Sequence, residues 1–94
     1  MIAFAGYDAD HFDIFVMKTD GTGLKRLTDA QKKSGKSSNN ESPTWSPDGR
    51  HIAFSSDRSD NLQIYIISPD GTNERRITED NTNWDKPKWS PFLD

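Results

Sequence analysis

The sequence predicts an all-β fold assembled from repeated units of four short antiparallel strands. Three observations carry that expectation. Residues 2–28 recur as residues 52–78 at a constant offset of 50: Ile2-Ala3-Phe4 matches Ile52-Ala53-Phe54, Asp20-Gly21-Thr22 matches Asp70-Gly71-Thr72, and Leu27-Thr28 matches Ile77-Thr78. A Pro-x-Trp-Ser-Pro motif occurs at residues 43–47 and returns at 87–91, 44 residues on. Asp-Gly dipeptides at 20–21, 48–49 and 70–71 punctuate the short apolar runs. They close tight turns, because Gly tolerates positive φ and Asp bonds its own backbone. A fixed-period repeat built from short strands marks a repeat architecture.

Taken in order, residues 2–5 read as a first strand, B, ended by Gly6, and residues 7–12 as a polar loop. Residues 13–18 form strand C. Its run Ile14-Phe15-Val16-Met17 lacks alternation, which suits a strand covered on both faces. Beyond the Asp20-Gly21 turn, residues 24–28 form strand D. Lys25 and Arg26 fit an exposed sheet edge, where charge discourages pairing with another chain. Residues 29–42 are polar and read as a loop. Residues 44–46 form a short strand A, and Pro47-Asp48-Gly49 turns into the next strand B at 51–55. The B-C-D pattern then repeats, and a last strand A falls at the second Trp-Ser-Pro.

The B-C-D copies are 50 residues apart but the Trp-Ser-Pro copies only 44, so a period near 44 carries a six-residue insertion within residues 30–40. A period of about 40–45 with four strands per unit is that of propeller blades. The expected organisation is one partial propeller domain. Residues 1–42 supply strands B-C-D and the inserted loop, residues 43–83 a complete blade A-B-C-D, and residues 84–94 a closing strand A.

Composition narrows the function classes. The hydrophobic share of the 94 residues is 31%, against roughly 45–50% for a typical domain with Gly counted, so only a thin core is expected. Five Phe, three Trp and two Tyr argue against disorder, which is poor in aromatics. A net charge of −3 provides no footprint for nucleic acid. Cysteine is absent, which excludes disulfides and thiolate chemistry. The first residues lack a basic region and a long apolar run, so neither a signal peptide nor a membrane span is expected.

Candidate chemistry is sparse. Residues 30–37 match a relaxed phosphate-binding loop, but Ser38-Asn39-Asn40-Glu41-Ser42-Pro43 cannot supply the helix that this chemistry needs; a flexible basic insertion is expected. Asp8, Asp10 and Asp13 alternate, yet lack the Gly and Glu of a calcium loop, so solvated hairpin residues are expected. Asp57 and Arg58 read as local turn and ion-pair contacts. His51 opens a strand and His11 lies in a loop, without the partners of a metal site or a catalytic triad. No G-x-S-x-G elbow occurs. Neither catalysis, a metal nor a cofactor is expected.

Trp45 and Trp89 occupy equivalent repeat positions, which favours core packing. Trp84 has no counterpart, since Asn40 aligns with it; it is a candidate contact or fills a gap in the last blade. In an up-and-down sheet, the A–B and C–D turns share one face and the B–C and D–A loops the other. Variable loops on a rigid scaffold carry binding. A protein partner is therefore expected on the loop face, through His11, Phe12, Arg58, Asn61, Trp84 and Asp85.

The segment Trp45-Ser46-Pro47-Asp48-Gly49-Arg50-His51-Ile52-Ala53-Phe54-Ser55, followed by Ile64-Tyr65 and Arg75-Arg76-Ile77-Thr78, resembles the TolB-type β-propeller repeat. The resemblance covers nearly the whole chain, and the Pro87-Lys88-Trp89-Ser90-Pro91-Phe92-Leu93 ending looks like the end of such proteins. It implies two C-terminal blades of a six-bladed propeller in a periplasmic, non-enzymatic component of the Tol-Pal cell-envelope system, which binds the peptidoglycan-associated lipoprotein Pal. Direct membrane insertion is not implied. Two alternatives stand beside it. Three copies could close a six-bladed ring, each final A strand pairing with the next chain's first B strand. Alternatively, the chain could be an accessory propeller of a prolyl-oligopeptidase-type peptidase.

Overall fold

The computed structural model describes residues 1–8, 11–28, 38–58 and 62–78. These form β1 (Ile2–Asp8), β2 (His11–Met17), β3 (Lys25–Arg26), β4 (Asn40–Trp45), β5 (Ile52–Ser56), β6 (Gln63–Ile67) and β7 (Arg75–Arg76), with no helix among the described residues. The strands make two antiparallel sheets, β1-β2-β3 and β4-β5-β6-β7. The first sheet is the B-C-D unit and the second the full A-B-C-D unit of an all-β propeller segment.

The repeat is visible in the register. Phe4 faces Phe15 in the first sheet and Phe54 faces Tyr65 in the second, each pair stacked, with centroids 5.6 and 5.9 Å apart. Both C–D turns close in the same way. Lys18 N–H donates to Thr22 O and Ser68 N–H to Thr72 O, each at 2.9 Å, while Gly21 and Gly71 take φ of +86° and +89°. That left-handed conformation is open to Gly without a Cβ penalty. Lys25, Arg26, Arg75 and Arg76 are exposed on the outer strands β3 and β7, as the edge-strand reading expects.

The core lies between the sheets. Ile14 and Val16 of the first sheet meet Ile52, Phe54, Tyr65 and Ile67 of the second, with Ala3, Leu27 and Trp45 packed against them. Burying each such side chain contributes about 1.5–3 kcal/mol. Trp45 thus packs as its repeat position predicts, although its Nε1 is buried without a hydrogen-bond partner. The opposite face of β5 and β6 carries a second buried cluster, Ala53, Ile64 and Ile66. Every residue of β5 and β6 is buried, which accounts for strands lacking alternation.

The structure corrects several boundaries. Residues 7–12, read as a loop, are mostly strand: β1 runs on to Asp8 and β2 starts at His11, with Gly6↔Asp13, Tyr7↔Phe12 and Asp8↔His11 in register. Strand C accordingly ends at Met17 instead of residue 18. Strand A opens at Asn40 rather than at 44, so the end of the presumed 29–42 loop belongs to β4. The second B strand is shifted to Ile52–Ser56, and strand D narrows to two residues in each unit. His11 and Asn40, which resembled loop residues, instead hydrogen-bond to Asp13 inside the sheets. β4 contains a register shift between Glu41 and Thr44, with Ser42 at φ +56° ahead of Pro43. Proline cannot donate to the ladder, and a bulge accommodates it. The closing strand expected in residues 84–94 and the segment 30–37 lie outside the described residues.

Candidate protein-binding face

The end of the sheets that carries the β1–β2 and β5–β6 connections is organised around Asp13. This side chain is fully buried in β2, so it is not a solvated hairpin residue. Its Oδ1 accepts from Thr28 Oγ1 at 2.8 Å and from Asn40 Nδ2 at 3.1 Å, and its Oδ2 accepts from His11 Nε2 at 2.9 Å. Arg26 Nη1 lies 3.8 Å from Oδ2. Thr28 Oγ1 also accepts from Ile14 N–H at 3.0 Å. A buried carboxylate is tolerable only with such donors around it. The second unit carries the neutral version at the same offset: Thr78 donates to Gln63 Oε1 and accepts from Ile64 N–H at 3.0 Å.

Asn39 and Asn40 stitch the two sheets together. Asn39 Oδ1 accepts from Phe12 N–H at 2.9 Å, and Asn39 N–H donates to Asp57 Oδ1 at 2.7 Å. Asn40 donates to Asp13 and accepts from Arg58 Nη2 at 3.1 Å. Arg58 also donates from Nε to Ser56 Oγ at 3.0 Å and from Nη2 to Glu74 Oε2 at 3.0 Å. Its guanidinium lies 4.2 Å from the Tyr65 ring centroid, within cation–π range. Arg58 makes a local turn contact to Ser56 and an ion pair with Glu74 and spans to Asn40, while Asp57 holds Asn39.

Of the candidate contact residues, the structure brings His11, Phe12 and Arg58 to this region and places His11 and Phe12 on β2 rather than in a loop. Asn61, Trp84 and Asp85 lie outside the described residues. Sequence reasoning missed Tyr7, which is 65% exposed and packs its ring edge-on to Phe12 with centroids 5.1 Å apart. It also missed Asn39 and Asn40. The available signal was the shared offset of Asp13 with Gln63 and of Thr28 with Thr78, which marks a polar pair repeated in both units.

The opposite face is made of short turns with internally occupied carboxylates. Thr22 Oγ1 and N–H hold Asp20, Ser46 Oγ and Arg50 N–H hold Asp48, and Thr72 Oγ1 and N–H hold Asp70. These hydrogen bonds, the side-chain hydroxyl first, lower each carboxyl below its ordinary value. A groove of about 400 Å³ on this side is lined by Met1, Trp45, Gly49 and Pro69. Among the described residues, no group of three or more His, Cys, Asp or Glu side chains could hold a metal ion, and no helix is long and apolar enough to cross a membrane.

Repeated antiparallel units that stack face to face and share a register define a β-propeller repeat protein. The TolB β-propeller domain family matches residues 1–93, and the chain belongs to it. A solved structure described as TolB from Agrobacterium tumefaciens is similar, with 34% identity and a TM-score of 0.82 over 95% of this chain. The match spans 30% of that longer chain. A search of curated proteins finds no significant match.

Proposed function

We propose that this chain is a non-enzymatic, protein-binding propeller segment of TolB type. It acts in the periplasm within the Tol-Pal cell-envelope system, and its partner is a peptidoglycan-associated lipoprotein. The observation that carries the reading is the Tyr7–Phe12 pair. An exposed aromatic side chain stands at the end of a hairpin whose backbone is anchored to Asn39 of the neighbouring sheet. Aromatic anchors on a preorganised surface are what protein interfaces use. Family membership supports the partner class. The buried position of Asp13 supports a structural carboxylate over a catalytic one, since it is sealed from any substrate. Calorimetric titration with the soluble domain of a peptidoglycan-associated lipoprotein tests the reading. Saturable one-to-one binding is expected; no heat of binding and no co-elution would contradict it.

A further inference from the structure

We propose, on the protein-binding reading above, that a carboxylate side chain of the partner is taken by Arg58 and Arg76 beside the Tyr65 ring. Arg58 is held in place before any partner arrives. Its Nε donates to Ser56 Oγ at 3.0 Å, and its Nη2 donates to Asn40 Oδ1 at 3.1 Å and to Glu74 Oε2 at 3.0 Å. The guanidinium lies 4.2 Å from the Tyr65 ring centroid. Nη1 makes no hydrogen bond among the described residues. Nor is it sealed, because Trp45 Nε1 is the one buried side-chain polar atom without a partner among those residues. Two N–H donors of a fixed and always charged fork are left open, on a side chain that is 14% exposed.

The repeat shows that the fold does not need this arrangement. At the offset of 50, Arg58, Tyr65 and Glu74 stand where the first unit has Asp8, Phe15 and Leu24. Arg76 keeps its counterpart, Arg26, but loses the counter-charge. Arg26 is in register with Phe15, and its Nη1 lies 3.8 Å from the buried Asp13 carboxylate. Arg76 is in register with Tyr65, but the Asp13 position is taken by the neutral Gln63, whose Oε1 accepts from Thr78. The Arg76 side chain makes no hydrogen bond or ion pair among the described residues. Directly opposed residues share a face of the sheet, so Arg76 stands on the Tyr65 face that Arg58 covers. Glu74 balances one of the two guanidinium groups, and one positive charge is left over. Guanidinium donors match the two oxygens of a carboxylate. An acidic side chain of the partner thus fills the role that Asp13 fills in the first unit. Donors already held lose little freedom on binding, which favours affinity.

Calorimetry against the soluble domain of a peptidoglycan-associated lipoprotein tests this. Arg76 is exposed, so Arg76→Gln should keep the parent's urea midpoint while weakening binding about tenfold. Each Asp and Glu of the partner domain is then changed singly to Asn or Gln. One such change should weaken parent binding by a similar factor and have a smaller effect in the Arg76→Gln and Arg58→Lys backgrounds, as coupled side chains do. Parent-like binding by Arg76→Gln would overturn the inference and leave the binding reading intact. So would weaker binding matched by a lower urea midpoint, or strict additivity of every partner change with both variants. Absence of binding by the parent would remove the reading and the inference with it.

Discussion

Asn40 Nδ2 donates to the buried Asp13 carboxylate at 3.1 Å and thereby ties the first strand of the second sheet to the central strand of the first. The same Asn40 side chain accepts from Arg58 on its other side. One amide thus connects Thr28, His11 and Asp13 to Arg58 and Glu74, and the loop end of both sheets is held as one surface.

Asn40→Ala should cost about 1–3 kcal/mol, because it strips a donor from a fully buried carboxylate and an acceptor from Arg58. The urea midpoint followed by tryptophan fluorescence reads this. A change below about 0.5 kcal/mol, the scale of ordinary surface substitutions, would show that the link has no structural weight.

Arg58→Lys should not be conservative. A lysine cannot reach Ser56, Asn40 and Glu74 with one planar group or stack in the same way over Tyr65. The exposed part of the Glu74 pair contributes little, so most of an expected loss of about 1–2 kcal/mol comes from the Asn40 bond and the ring contact. Glu74→Gln should cost less than Arg58→Lys; the reverse order would shift the weight to the ion pair.

Gly6→Ala should destabilise by about 1–3 kcal/mol through overpacking. A Cβ there would lie 2.8 Å from Cδ1 and Cε1 of the Phe15 ring. Adding Phe15→Leu should recover part of the loss, so the double variant should be less destabilised than the sum of the two single ones. Strict additivity would mean that the ring is not the obstacle.

The three turn carboxylates set an acid limb. Each has a folded pKa below its unfolded value, so its contribution is fully present above the ordinary carboxylate pKa, about 4, and is lost as pH falls through the depressed folded value. Asn at positions 20, 48 and 70 keeps an acceptor but does not titrate. The triple variant should show a shallower fall in urea midpoint between pH 5 and pH 3, with little change in slope above pH 5. An unchanged acid limb would contradict this.

The strand order of both sheets was legible because apolar residues repeat at an offset of 50 and Gly21, Gly49 and Gly71 mark the turns. The loop-end network was not, for a physical reason. Asp13 and His11 flank an apolar run and look like a solvent boundary, and only the packing of the second sheet reveals that their partners are internal. Asn39 and Asn40 end a polar insertion that displaces the 50-residue register. They align at an offset of 44, where Asn83 and Trp84 are their counterparts. Tyr7 sits in a polar stretch with the composition of a loop, whereas the ladder carries it out to the hairpin end opposite Phe12.

The most direct test of the binding account is a face comparison. The affinity for the soluble domain of a peptidoglycan-associated lipoprotein is measured by calorimetry for the parent chain, for Tyr7→Ala, and for an Arg50→Ala, Leu24→Ala double variant on the turn side. Loss of a hot-spot aromatic costs about 2 kcal/mol or more, so Tyr7→Ala should weaken binding by roughly thirtyfold while the turn-side variant binds like the parent. Parent-like binding by Tyr7→Ala together with loss of binding in the turn-side variant would contradict the account.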